Sequence, residues 1–217
     1  MKKGLLPLIA LLSFGPPLVA QKSVNDRIQV GDILFQDMDC GPMCEAIERV
    51  TTGWSDRNFS HLGLVISKND SLFVLEAIGK DVHLTPLNTF IYRSATNSGQ
   101  PKVVVSRLRK RYHALIPKAI EFAIQQIGVA YDDDFLYDNG KYYCSELIYE
   151  AFKNANSGIP LFELKPMTFH DPVTGKPFPV WEDYFKNKNA PIPQGQPGCN
   201  PGGISQSPKI RIVRSLY

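Results

Sequence analysis

Short apolar runs separated by turn-forming residues predict several β-strands in the first half of the chain. Runs of this kind span residues 30–36, 60–67, 72–78, 82–84 and 102–108. Short apolar runs bounded by Gly, Asn or Asp are typical of buried strands. The turn Lys68-Asn69-Asp70 links the second strand to the third, and this close spacing favours an antiparallel hairpin. A last apolar run at residues 210–213 predicts an edge strand.

A period of three to four residues predicts three helices. Pro42 suits the first position of a helix over residues 42–50. A second helix over residues 117–128 ends at Gly128 and has an apolar stripe. That stripe consists of Ile116, Ala119, Ile120, Ala123, Ile124 and Ile127. A third helix over residues 144–154 has its own apolar face. That face consists of Cys144, Leu147, Ile148, Ala151 and Phe152.

The chain ends differ in character from its middle. Lys2 and Lys3, a short apolar run and a small residue at Ala20 have the layout of a secretory signal peptide over residues 1–20. After Ile159 the chain becomes rich in Pro and Gly, so we expect an irregular C-terminal wrap from about residue 160 rather than a second domain. Residues 21–217 would then form a single domain.

Composition and charge exclude several classes of protein. The 217 residues are 43% hydrophobic and 21% charged, which fits a globular domain rather than a disordered chain. Without Lys2 and Lys3 the net charge falls from +3 to +1, so no nucleic acid partner is expected. No later segment is long and apolar enough to span a membrane. We therefore expect a secreted or periplasmic protein, as a monomer or a small homo-oligomer.

Cys144 is the first residue on the inward face of the third helix. Free N–H groups and the helix dipole stabilise an anion at a helix amino terminus, which favours a reactive thiolate. The same N–H groups can bind the oxyanion that forms during acyl transfer. The alternative is that Cys144 is simply a small buried hydrophobic residue.

A thiolate nucleophile needs a base and a group that orients the base. His61 begins an otherwise apolar strand, where an imidazole would lie at the edge of the core. Glu76 interrupts the apolar strand 72–78, and burying its carboxylate is costly without a partner. The predicted hairpin brings these two strands together. A hydrogen-bonded His at a strand end and a solvated Glu remain the alternatives; His83 could also face a pocket.

Four segments, in this order, carry a family resemblance. They are Gly31-Asp32-Ile33-Leu34-Phe35, Phe59-Ser60-His61-Leu62-Gly63-Leu64-Val65, Val74-Leu75-Glu76-Ala77 and Tyr142-Tyr143-Cys144-Ser145-Glu146-Leu147-Ile148. Together they closely resemble the YiiX/YebB-like group, a circularly permuted branch of the NlpC-type, papain-like cysteine hydrolases. Gly128-Val129-Ala130-Tyr131-Asp132 is similar to the Gly-x-x-Tyr-Asp segment of that family. The order His, acid, Cys is the permuted order.

The resemblance implies an α+β fold with a papain-like core, in which a short antiparallel sheet packs against the helix that carries the nucleophile. It implies that Cys144 is the nucleophile, His61 the general base and acid, and Glu76 the group that orients His61. More loosely, it implies that Tyr131 and Gln36 line the substrate cleft.

The implied activity is hydrolysis of an amide or ester bond through an acyl-enzyme, without a cofactor or metal. Cell-wall-type peptides or N-acyl amino compounds are the expected substrates. Two alternatives stay open. One is acyl transfer or hydrolysis on lipids, as in enzymes resembling lecithin:retinol acyltransferase, and the other is a non-catalytic protein that holds a ligand in the same cleft.

Three further cysteines, Cys40, Cys44 and Cys199, leave the disulfide pairing open. A bridge from Cys199 to Cys40 or Cys44 would attach the tail to the body of the protein. A Cys40–Cys44 bridge competes with it and needs Cα atoms within about 7 Å. Zinc binding is weakly supported, because no second ligand pair stands at metal spacing.

Overall fold

The structure is a computed structural model that describes residues 27–217, so the signal peptide predicted at residues 1–20 lies outside it. Its centre is a six-stranded antiparallel sheet with the order β4-β3-β2-β1-β5-β8. These strands are β1 (Ile33–Gln36), β2 (His61–Lys68), β3 (Ser71–Ile78), β4 (Asp81–Pro86), β5 (Val103–Leu108) and β8 (Ile210–Ser215). The predicted strands are confirmed, including the hairpin of β2 and β3 and the edge position of β8.

Six α-helices surround the sheet in the described part of the chain. They are α1 (Pro42–Arg49), α2 (Leu87–Tyr92), α3 (Ile116–Gln125), α4 (Cys144–Ala155), α5 (Pro179–Asn187) and α6 (Pro201–Ser205). Short 3₁₀ helices lie at Trp54–Asp56 and Lys110–Leu115, and β6 (Lys165–Pro166) pairs with β7 (Pro197–Gly198). The helices predicted at 42–50, 117–128 and 144–154 correspond to α1, α3 and α4. Among the described residues, no helix has the length and apolarity needed to cross a membrane.

The two faces of the sheet are buried by different helices. One face packs with α4 into the main core, in which Leu62, Leu75 and Phe152 have no exposed surface. The other face packs with α2 through Phe90 and residues such as Leu34 and Val74. Because side chains alternate between the faces of a strand, strands that are covered on both faces appear in the sequence as continuous apolar runs.

A close approach between β2 and β3 explains Gly63. A Cβ atom at this position would overlap Cγ1 of Val74 and lie 3.2 Å from the carbonyl oxygen of Leu75. The missing side chain therefore allows the two strands that carry His61 and Glu76 to pair closely.

Three helices, α2, α5 and α6, were not predicted from the sequence. The short α2 follows Pro86 directly and has only six residues, too few for a clear periodicity. The expectation of an irregular chain after Ile159 is wrong at the five-residue α6 and at α5, where Pro179 occupies the first turn. Trp181 and Phe185, one turn apart, pack with Phe169 and Phe178 against Ala46 of α1. The burial of these aromatic side chains therefore stabilises α5 within a segment that is rich in Pro and Gly.

The apolar stripe predicted for α3 is only partly buried. Ala119 and Ala123 face α4 in the core, whereas Ile124 and Ile127 are 45% and 44% exposed. The structure also resolves the choice between disulfides. Cys40 and Cys44 form a bridge with a Cα–Cα distance of 5.2 Å, and Cys199 is a free thiol.

Candidate active site

Cys144 is the first residue of α4, as its apolar period predicts. The preceding residue, Tyr143, has an extended backbone and provides no side-chain cap to the helix. Tyr143 therefore offers no side-chain acceptor to the backbone N–H groups in the first turn of α4. Cys144 is 7% exposed, so its side chain is largely buried.

His61 and Glu76 lie on the paired strands β2 and β3. Glu76 is fully buried, and its Oε2 lies 2.6 Å from Nε2 of His61. The side chain of Cys144 also interacts with the His61 ring and raises its pKa. Because Nε2 faces Glu76, Nδ1 is the ring nitrogen left for the thiol. The structure thus brings all three predicted residues together, although they are far apart in the sequence.

The pKa values of this cluster indicate opposite charges in contact. Burial alone lowers the pKa of His61, but the hydrogen bonds and charges of Cys144 and Glu76 outweigh burial and raise the pKa of His61 above its usual range. Burial tends to raise the pKa of Glu76, but hydrogen bonds and charges from His61 and Arg93 hold it well below its usual range. These directions favour an imidazolium ion beside an ionised Glu76.

Two further side chains hold the carboxylate of Glu76. Arg93 follows α2 and donates from Nη1 to Oε1 at 2.8 Å and from Nη2 to Oε2 at 2.7 Å. Thr85 of β4 donates its hydroxyl to Oε1 at 2.5 Å. Each oxygen of Glu76 therefore accepts two hydrogen bonds, counting that from His61, so the cost of burying this charge is offset by four donors.

Gln36 lies behind this cluster instead of lining a cleft. It is fully buried, with Nε2 donating to the carbonyl oxygen of Phe90 at 2.5 Å and to the Ser94 hydroxyl at 2.9 Å. Its Oε1 accepts from Nε of Arg93 at 2.8 Å. The expectation that Gln36 contacts a substrate is therefore corrected, because its amide is fully used within the fold.

Tyr131 interacts electrostatically with Cys144. Burial raises the pKa of Tyr131 well above its usual range, and the charge of Cys144 adds to this effect. Its backbone forms a bridge with Tyr142, and its ring packs edge-on against Phe135 at 6.4 Å. The phenol is therefore held in its neutral form near the thiol.

The C-terminal segment braces the start of α4. Ser145 donates its hydroxyl to the carbonyl oxygen of Cys199 at 2.9 Å, and the backbone N–H of Cys199 donates to the Tyr143 hydroxyl at 3.2 Å. Both neighbours of Cys144 in the sequence therefore contact this segment. Burial raises the pKa of the Cys199 thiol well above its usual range, so Cys199 is a poorly reactive thiol.

The other three histidines do not join the cluster. His83 pairs with Asp81 at 3.0 Å, and its side chain is 42% exposed. His113 contacts the carbonyl oxygen of Leu108 at 2.9 Å, and His170 lies in a loop that pairs with Pro177. The proposal that His83 faces a pocket of the site is therefore not supported.

Arg93 and Thr85 are the site residues that the sequence did not reveal. One signal pointed to them indirectly, because a buried Glu76 requires donors to both oxygens. The sequence could not name those donors, since Arg93 is positioned by the unpredicted helix α2.

A central antiparallel sheet packed on a helix that begins at a cysteine, with the histidine on an earlier strand, defines a papain-like fold with a permuted chain order. The family described as "permuted papain-like amidase enzyme, YaeF/YiiX, C92 family" matches residues 27–214. The chain belongs to this family.

Two relatives extend the comparison. The chain is 30% identical over 190 residues to the uncharacterized protein YiiX of Escherichia coli K12, covering 85% of each sequence. It also resembles a crystal structure of the metalloprotein YiiX from Escherichia coli O157:H7, with a TM-score of 0.66 and 25% identity. That match covers 86% of this chain and 97% of the other.

That YiiX structure is described as a metalloprotein, which raises the question of a metal site in this chain. Within residues 27–217, no group of three or more His, Cys, Asp or Glu side chains could hold a metal ion. The lone pairs of Glu76 are directed at His61, Arg93 and Thr85. The donor set of the cluster therefore does not fit a metal centre.

Proposed function

We propose that this protein is an exported cysteine hydrolase that cleaves an amide or ester bond through an acyl-enzyme on Cys144. In this proposal His61 is the general base and acid, and Glu76 orients His61. The observation that carries the proposal is the position of the His61 ring, which hydrogen-bonds with Glu76 and interacts electrostatically with the thiol at the start of α4. Membership of a permuted papain-like amidase family supports the same chemistry.

The reaction begins with a thiolate on Cys144 and an imidazolium on His61. The sulfur attacks the substrate carbonyl carbon, and N–H groups at the start of α4 stabilise the oxyanion. As the bond to the leaving group breaks, His61 donates its proton from Nδ1 to the departing nitrogen or oxygen. Water then enters, His61 takes a proton from it, and the resulting hydroxide attacks the thioester to release the acid and restore the thiolate.

Glu76 acts in this proposal by fixing the ring and its charge. Its contact with Nε2 selects the tautomer that leaves Nδ1 facing the thiol, and its negative charge stabilises the imidazolium. Tyr131 is proposed to contact the substrate, because it lies near Cys144 and carries a neutral phenol that can donate a hydrogen bond.

Cell-wall-type peptides or N-acyl amino compounds are the proposed substrates, and a secreted or periplasmic location is proposed with them. The Cys40–Cys44 disulfide supports an oxidising compartment. The mature chain has little net charge, so the proposal does not include nucleic acid among its partners.

Mass spectrometry of the purified protein with a mixed panel of substrates tests the proposal. The panel contains wall peptides, N-acyl amines and lipid esters, and the measurements are the bond cleaved and the acyl adduct on Cys144. We expect an adduct and turnover in the wild type and neither in Cys144→Ala. Cys199→Ala is the matched control, because it removes the other free thiol and should retain turnover.

The outcomes separate the alternatives. Cleavage confined to lipid esters would favour lipid acyl chemistry over amide hydrolysis. Retained binding of a panel compound without any cleavage or adduct would favour a non-catalytic ligand-binding protein. Turnover that survives in Cys144→Ala would refute the assignment of the nucleophile.

A further inference from the structure

We infer that Arg93 is a positioning residue that fixes the Glu76 carboxylate and thereby sets the thiolate character of Cys144. This inference rests on the proposed function, because it concerns how the same site is held in its reactive state.

The guanidinium of Arg93 contacts both oxygens of Glu76 in a two-pronged arrangement. The distances are 2.8 and 2.7 Å, and the Arg93 side chain is only 20% exposed, so solvent screens this pair weakly. A fork of two parallel hydrogen bonds fixes the plane of the carboxylate, which a single charge contact does not. With that plane fixed, Oε2 remains 2.6 Å from Nε2 of His61.

Arg93 is itself held in place from two sides. Its third donor, Nε, contacts Oε1 of Gln36 at 2.8 Å, and its guanidinium lies 4.5 Å from the centre of the Phe90 ring. Gln36 is opposite His61 in the register of β1 and β2. Arg93 therefore connects the end of β1, the turn after α2 and the acid on β3.

Arg93 also balances the charges in the site. The charged and titratable groups that face this cluster are His61 from β2, Glu76 from β3 and Cys144 from α4, with Tyr131 beside the thiol. Without Arg93, the buried Glu76 would lose two of its four donors and would take up a proton more readily. A protonated or reoriented Glu76 no longer stabilises an imidazolium, and the thiolate then loses its counter-ion.

The test measures the rate of Cys144 alkylation by iodoacetamide from pH 5 to pH 9, using the mass of the peptide that contains Cys144. This assay needs no substrate and distinguishes Cys144 from Cys199. The acid limb of the profile is the pH range in which the alkylation rate rises with pH. In Arg93→Met we expect this limb to shift to higher pH by about one unit or more, which lowers the rate near pH 6 roughly tenfold. Arg93→Lys keeps the charge without the fork, so it should restore part of this loss.

Arg49→Met is the matched control, because Arg49 forms an exposed ion pair with Asp171. Its acid limb should coincide with that of the wild type. An Arg93→Met profile that coincides with the wild type would overturn the inference. If Arg93→Met does not fold, the same profile is measured for Arg93→Lys and Gln36→Leu. An acid limb that is unchanged from the wild type in both variants would also overturn the inference.

The two levels of the proposal fail in different ways. If the wild-type profile rises only near pH 8.5, as for an ordinary cysteine, then the imidazolium–thiolate pair of the proposed function is absent. If the wild type has an acid limb at lower pH but Arg93 variants share it, only the role of Arg93 is refuted.

Discussion

Glu146 is a buried acid in the first turn of α4, two residues after Cys144. It is 1% exposed, and its Oε1 accepts a hydrogen bond from the backbone N–H of Asp138 at 3.1 Å. No hydrogen-bond partner for Oε2 is found among the described residues. Burial raises the pKa of Glu146 from 4.5 to about 8, although backbone hydrogen bonds from Asp138 and Tyr143 partly oppose this shift. Glu146 is therefore protonated at neutral pH in the folded protein.

The sign of the effect on stability follows from this shift. The folded state holds a proton that the unfolded state releases above pH 4.5, so the free energy of unfolding falls as pH rises from about 4.5 to about 8. Each unit of pH in this window changes the free energy of unfolding by about 1.4 kcal/mol. Between pH 5 and pH 8 the contribution of Glu146 therefore falls by about 3 kcal/mol, allowing for partial titration at both ends.

Glu146→Gln replaces the protonated acid with a neutral side chain of the same shape. The amide nitrogen of Gln would take the place of Oε2, which has no hydrogen-bond partner among the described residues. A buried donor without an acceptor lowers the free energy of unfolding by about 1–3 kcal/mol, and it does so at every pH. We therefore expect the variant to be less stable than the wild type near pH 5, and this deficit to shrink or reverse by pH 8. Urea unfolding followed by the fluorescence of Trp54 and Trp181 measures the difference at each pH.

The change of that difference with pH is the decisive quantity. Other titrating groups affect both proteins equally and cancel in the comparison. Glu163→Gln serves as the control, because the Glu163 side chain is 81% exposed and should give a difference that does not vary with pH. A Glu146→Gln difference that stays constant from pH 5 to pH 8 would refute the reasoning.

Two further predictions concern the frame of the site. Gly63→Ala places a methyl group against Val74, so we expect the free energy of unfolding to fall by about 1–3 kcal/mol. Urea titration measures this change. A stability equal to that of the wild type would show that β2 and β3 can move apart without cost. The double variant Cys40→Ser, Cys44→Ser should lose about 2 kcal/mol, the value for closing so short a loop. A reductant should lower the Tm of the wild type but not of this variant, and equal responses would contradict the bridge.

The sequence predicts the frame of the site well, because its strongest patterns are local. The hairpin of β2 and β3 follows from two apolar runs with a three-residue turn, and α4 follows from a sustained helical period that starts at Cys144. These elements set the relative positions of His61 and Glu76. That the His61 ring approaches the thiol is a hypothesis from the resemblance, and the electrostatic interaction of the two side chains in the structure agrees with it.

The remaining features depend on contacts that no local pattern carries. Helix α2 is too short to have a period, and so Arg93 could not be placed beside Glu76. Gln36 was assigned to the cleft by analogy, whereas the internal amide contacts that hold it come from that same unpredicted helix. Helix α5 is stabilised by aromatic packing with a distant part of the chain, through Trp181.

The contacts of Cys199 with the residues on either side of Cys144 join two segments that lie 54 and 56 residues apart in the chain. The hairpin with His61 and Glu76 does not take part in these contacts. Proteolytic cleavage between α4 and Cys199 could therefore leave the hairpin intact while freeing the start of α4, so the reactivity of Cys144 toward a thiol probe would report on the integrity of that connecting segment.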